Sequence, residues 1–139
     1  CVIGAYHANP SGLTDAGKAY VFTRAGVSWA QEQILSASNK STSDNFGQSV
    51  SIDSIGSIIS IGSPRSNPGG LNDAGSIYIY SRSGVTWGGE NILSASDKSN
   101  DIGFGTSVAM SGDSSRCIVG APLTNPTGII DAGSAYIYG

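Results

Sequence analysis

Charge is scarce in this chain. Only 12% of its 139 residues are Asp, Glu, Lys or Arg, too few to clothe a coiled coil or a Lys/Glu-faced helical bundle. No basic cluster interrupts a net charge of −3, so binding to a phosphate backbone has no electrostatic footing. There is one histidine, His7, and there are two cysteines, Cys1 and Cys117. That supply offers neither a disulfide framework nor a His/Cys metal cluster. No apolar run approaches the roughly 18 residues that a spanning helix needs, and no window carries the 3.6-residue period of an amphipathic helix.

What the chain has instead is serine and glycine, 44 of 139 positions, with Ile, Val, Tyr and Trp gathered in short patches suited to strands. It also repeats. Asp15-Ala16-Gly17 returns as Asp73-Ala74-Gly75 and Asp131-Ala132-Gly133, 58 residues apart each time. Asn9-Pro10, Asn67-Pro68 and Asn125-Pro126 keep the same step, as do Tyr20, Tyr78 and Tyr136, Trp29 and Trp87, and Phe46-Gly47 and Phe104-Gly105. Residues 1–58 laid over 59–116 agree at 27 of 58 positions, so the chain is a tandem of one unit.

Within a unit the pattern reads as strands divided by turns. In the middle copy we expect strands at Phe46–Asp53, Ile58–Gly62, Ser76–Ser81 and from Val85 to Leu93, with a long loop over Pro64–Gly75. The third strand is apolar on both faces, so both must be covered. Four strands per unit with two buried faces fit a β-propeller blade lying between two neighbours. The expected fold is therefore all-β, made of antiparallel four-stranded blades. Residues 1–45 would form a partial blade, 46–103 a complete one and 104–139 a further partial one, ten strands in all.

Phe46-Gly47 and Phe104-Gly105, followed by Gly62-Ser63-Pro64 and Gly120-Ala121-Pro122, resemble FG-GAP repeats, the blade units of integrin α-chain propellers and of many secreted microbial and protist proteins. The first copy reads Gly4-Ala5-Tyr6 in place of Gly-Ala-Pro. The resemblance implies a propeller, commonly of about seven blades, used outside the cell for adhesion or protein contact. It also implies a calcium loop of Asp-x-Asp-x-Asp-Gly type between the first two strands of many blades. Here the loops Ser51–Gly56 and Ser111–Arg116 offer one carboxylate each, Asp53 and Asp113, so no metal is expected.

No constellation for acid–base or nucleophilic catalysis is visible, and an enzyme and a cofactor are not expected. The serines read as solvating and turn-forming groups, and His7 as plain surface. Cys1 and Cys117 share one strand position and read as buried free thiols. Trp29, Trp87 and the tyrosines read as packing between blades more than as sugar-stacking platforms. Asp15, Asp73 and Asp131 are assigned to turns in which the carboxylate accepts a backbone N–H two residues on, with Asn9, Asn67 and Asn125 starting the same loops. These six residues are also the candidate ligand-binding set, one site per repeat. Asn39-Lys40-Ser41 is the one usable glycosylation sequon, because Pro126 blocks the one at Asn125.

The leading expectation is a non-enzymatic extracellular structural or adhesion module. Its partners would be copies of itself or flanking repeats of a longer chain, with self-assembly into a fibre as a variant. The alternative is a lectin-like propeller that takes glycans at its loops.

Overall fold

The computed structural model describes residues 1–139, and every regular element longer than one turn is a strand. Ten strands form three antiparallel sheets. The first holds β1 (Val2–Ala5), β2 (Lys18–Ala25) and β3 (Ser28–Leu35). The second holds β4 (Ser49–Ile52), β5 (Ile58–Ser63), β6 (Ser76–Ser83) and β7 (Thr86–Leu93). The third holds β8 (Ser107–Met110), β9 (Cys117–Ala121) and β10 (Ser134–Tyr138). Each sheet orders its strands as the chain does, the meander of a propeller blade.

The repeat carries the register with it. Ile61 faces Tyr78 across β5 and β6, Val119 faces Tyr136 across β9 and β10, and Ile3 faces Tyr20 across β1 and β2. Two buried clusters lie between neighbouring sheets. One joins Ala19, Val21 and Leu35 of the first sheet to Phe46, Ile61, Tyr78 and Trp87. The other joins Ile77 of the second sheet to Phe104, Val119 and Ala121. Full burial of a side chain of this size contributes about 1.5–3 kcal/mol. Phe46 meets Tyr78 edge-on at 5.1 Å, and Phe104 meets Tyr136 likewise at 5.3 Å.

The first strand of the middle sheet is shorter than its sequence pattern suggests. It begins at Ser49 because Phe46 pairs across to the neighbouring sheet, in an isolated parallel bridge with Gly17. Equivalent positions also differ in burial. Cys117 is buried, but Cys1 is exposed, which corrects the expectation of two buried thiols. Trp87 is 4% exposed and packs as expected, whereas Trp29 is 54% exposed. In both corrections the cause is the same: nothing lies against the outer face of the first sheet.

Candidate functional site

The conspicuous loops are those ending in Asp-Ala-Gly. Each opens with a single 3-10 turn, at Pro10–Gly12, Pro68–Gly70 and Pro126–Gly128. The side-chain oxygens of Asn9, Asn67 and Asn125 then accept the backbone N–H of Asp15, Asp73 and Asp131 at 2.8, 2.8 and 2.7 Å. This reverses the expected turn. The amide side chain six residues earlier is the acceptor, and the aspartate contributes backbone. That grip holds Asp15, Asp73 and Asp131 in the left-handed region, at φ of 53°, 46° and 52°, a shape aspartate tolerates better than most residues.

The carboxylates are left for other partners. Asp15 lies 3.0 Å from the Nδ1 of His7, and Asp73 lies 3.5 Å from the Nε of Arg65. His7 is therefore exposed but paired, not bare surface. Asp131 has no such partner, since Leu123 stands at the matching position. Exposed pairs of this kind contribute about 0–1 kcal/mol. Asp73 and Arg65 also line a polar hollow of about 300 Å³ together with Gln48, Asp101 and Thr106, but Asn67 is not part of it.

The twisted loop turns its carbonyls toward the next blade. Ser43, Asn45 and Phe46 donate N–H groups to Thr14, Asp15 and Ala16 at 2.8, 3.0 and 3.0 Å. One repeat on, Asp101, Gly103 and Phe104 donate to Asn72, Asp73 and Ala74 at 2.8, 3.1 and 3.1 Å. Ala16 and Ala74 are completely buried beneath these clasps. The glycine that follows is required, because a Cβ on Gly17 or Gly75 would stand 2.0 Å from the carbonyl oxygen of Phe46 or Phe104. The first clasp carries a cost that the second avoids. Asn45 is 5% exposed with its side-chain oxygen unpartnered, where the second clasp has Gly103.

Serines stitch the rest of the seam, a role beyond solvation and turns. Ser49 donates its hydroxyl to the Gly105 carbonyl at 2.8 Å, the Ser51 hydroxyl accepts Met110 N–H at 2.9 Å, and Ser114 donates to Asp53 at 2.6 Å. Those bonds join the second and third sheets; between the first and second, Gln33 exchanges two bonds with the Trp87 backbone, at 2.7 and 2.8 Å. Glu32 accepts from Arg82 and from the Trp87 indole. Burial pushes the Glu32 carboxyl up, but these donors outweigh it and the net shift is downward.

Asp53 and Asp113 are not equivalent residues. One repeat beyond Asp53 stands Ser111, and Asp113 matches Ile55, so the loops Ser51–Gly56 and Ser111–Arg116 are offset by two positions within the repeat. Asp53 is buried, which alone would raise its carboxyl. Donors from Ser114, Ser57 and the backbone of Ile58 and Ser57 hold it instead at about 2. Asp113, out on the surface, is held at about 2 by Ser111 and Ser115. No three His, Cys, Asp or Glu side chains come together at any point.

Asn39 occupies an exposed turn, and its side-chain oxygen accepts the Tyr78 hydroxyl at 2.8 Å. Sequence reasoning missed the clasp itself, although Asp-Ala-Gly and Phe-Gly both repeat at the interval that would have suggested a shared contact.

A family description, FG-GAP repeat, matches residues 29–80 and again residues 87–138, together most of the chain. Each match runs from the last strand of one sheet through three strands of the next, and so contains one donor Phe-Gly and one acceptor Asp-Ala-Gly. No curated protein matches the chain.

Proposed function

This chain belongs to the FG-GAP repeat family, whose members are protein-interaction modules of the integrin α type, and from that premise we propose a non-enzymatic structural or adhesion module working outside the cell through repeated protein contacts. Repeats of this family are typical of extracellular and surface proteins, and no helix here is long and apolar enough to cross a membrane.

One observation carries the reading: the faces that seal the interior seams reappear, uncovered, at both ends. Ile3 and Trp29 are 53% and 54% exposed on the first sheet, where their counterparts Ile61 and Trp87 are 0% and 4% exposed. On the third sheet Ile118 and Ile137 are 46% and 70% exposed. Apolar faces of this kind mark contact surfaces. The contacts would be with further repeats or with copies of the chain, and a fibre follows if copies join without closing.

Light scattering and electron microscopy of the purified chain test this. Phe22 lines one apolar hollow with Ile3 and Trp29, and we expect association that grows with concentration and is lost in a Phe22→Ser, Trp29→Ser double variant. A chain that stays monomeric at every concentration would remove both fibre and ring. Secretion would also place a glycan on Asn39, visible as a mass increase that Asn39→Gln abolishes.

A lectin-like reading has the polar hollow beside Asp73 in its favour. Glycan-array binding that disappears in Asp73→Ala would support it, and binding unchanged in that variant would return Asp73 to a purely structural role.

A further inference from the structure

The third Asp-Ala-Gly loop has the conformation of the other two and no occupant. Asp131 and Gly133 hold φ of 52° and 77°, beside 53° and 89° at Asp15 and Gly17 and 46° and 81° at Asp73 and Gly75. The internal bond that shapes the loop is also present, Gly133 N–H to the Thr124 carbonyl at 3.0 Å, as Gly17 donates to Ala8 and Gly75 to Ser66 at 2.9 Å. Yet the carbonyls of Ile130, Asp131 and Ala132 accept no bond from the chain. Ala132 and Ala135 are exposed, where Ala16, Ala19, Ala74 and Ile77 are completely buried.

We infer that Ile130–Gly133 is an open receptor for a turn-rich segment containing Phe-Gly, presented by another unit of this repeat type. The inference rests on the reading above that the end faces are contact surfaces, and it names the partner. The occupant is identified by what fills the same site twice within the chain. Three N–H groups spaced like those of Asp101, Gly103 and Phe104 pair with three carbonyls, while the aromatic ring joins the cluster of the residue three positions beyond the alanine, Ala19 or Ile77, matched here by Ala135. Because the receptor loop is already shaped, the partner bears the ordering cost alone. A second copy of this chain does not meet the requirement, since Phe46-Gly47 and Phe104-Gly105 are both engaged in their own seams.

The test uses the whole chain and a synthetic peptide of residues 99–108, Ser-Asn-Asp-Ile-Gly-Phe-Gly-Thr-Ser-Val, titrated by NMR. Saturable shifts centred on Ile130–Ser134 are expected. Replacing the peptide phenylalanine by alanine should weaken binding at least about tenfold, as for a buried aromatic anchor. Ala132→Glu should abolish binding at an unchanged unfolding midpoint, because Ala132 is exposed and the fold does not depend on it. Absence of saturable binding, equal binding of the two peptides, or shifts confined to other surfaces would overturn the inference. Shifts at Ile130–Ser134 that appear with concentration in the chain alone would make a second copy the occupant and overturn it too. If the peptide fails while Phe22 and Trp29 still drive association, the partner assignment falls and the proposed function stands. Peptide binding without association would have the opposite meaning.

Discussion

Trp29 and Trp87 occupy one position of consecutive repeats, follow the same Gly-Val turn and face an arginine alike, with Arg24 5.9 Å from one ring and Arg82 5.8 Å from the other. One is 54% exposed and the other 4%. The difference lies in what stands beside them. The middle sheet has the first sheet against its aromatic face, whereas the first sheet has nothing there. Burial in this fold is a property of a pair of blades, so stability resides at the seams.

The sharpest way to break that comparison is to truncate both tryptophans. Trp87→Ala should cost about 3–5 kcal/mol, the range for emptying a buried aromatic site. Trp29→Ala should stay within about 0.5 kcal/mol. Urea unfolding of the two variants decides it, and equal losses would mean that the outer face is shielded after all.

The clasps allow the next comparison. Gly133→Ala should lose about 1–2 kcal/mol from its left-handed backbone. Gly75→Ala carries the same penalty plus about 1–3 kcal/mol of overpacking, because its new methyl would collide with the Phe104 carbonyl. Thermal melts that rank the two variants the other way would deny that an occupied clasp is tighter than an open one.

A third contrast sets Asp53 against Ser111 at the same position. The folded carboxyl of Asp53 is depressed to about 2, so its stabilisation is fully present above the unfolded value near 3.9 and is lost as pH falls toward 2. It amounts to about 2 kcal/mol. Asp53→Asn should therefore be weaker at neutral pH and lose less between pH 5 and 2. Ser111, whose hydroxyl accepts Arg116 N–H at 2.9 Å, supplies the matching acceptor without itself titrating.

The smallest effect is expected at Asp44, matched one repeat on by Ile102. Asp44 is 3% exposed, and burial, with a contribution from the Asp73 charge, pushes its carboxyl up. A raised folded value means that ionisation at neutral pH opposes folding. Asp44→Asn should then stabilise by less than about 1 kcal/mol at pH 7, with the gain shrinking as acid protonates the parent. Denaturation midpoints at pH 7 and pH 4 would show it.

Much of this architecture was legible in the sequence. The 58-residue spacing and the doubly apolar run Ile77–Tyr80 yield blades, and the ten strands fall where the unit places them. Repetition misleads where environment enters. Cys1 and Cys117 share a position, yet only one has a neighbour over it. The Asn–Asp turns were legible as turns but not in their direction, because an amide reaching six residues forward competes with a carboxylate reaching two, and only the folded loop shows which prevails. The His7–Asp15 and Arg65–Asp73 contacts join opposite arms of one loop, a proximity that no local spacing rule encodes. The clasp was hidden for a similar reason: its two halves are 30 residues apart and belong to different sheets, Ala16 to the first and Phe46 to the second.

The clasp also has polarity. At each clasp the Asp-Ala-Gly loop offers carbonyls and the Phe-Gly segment N–H groups, as Ala16 and Phe46 illustrate. A contact that repeats the clasp is therefore vectorial, its members all pointing the same way, because two like loops facing each other would have no clasp bonds to make.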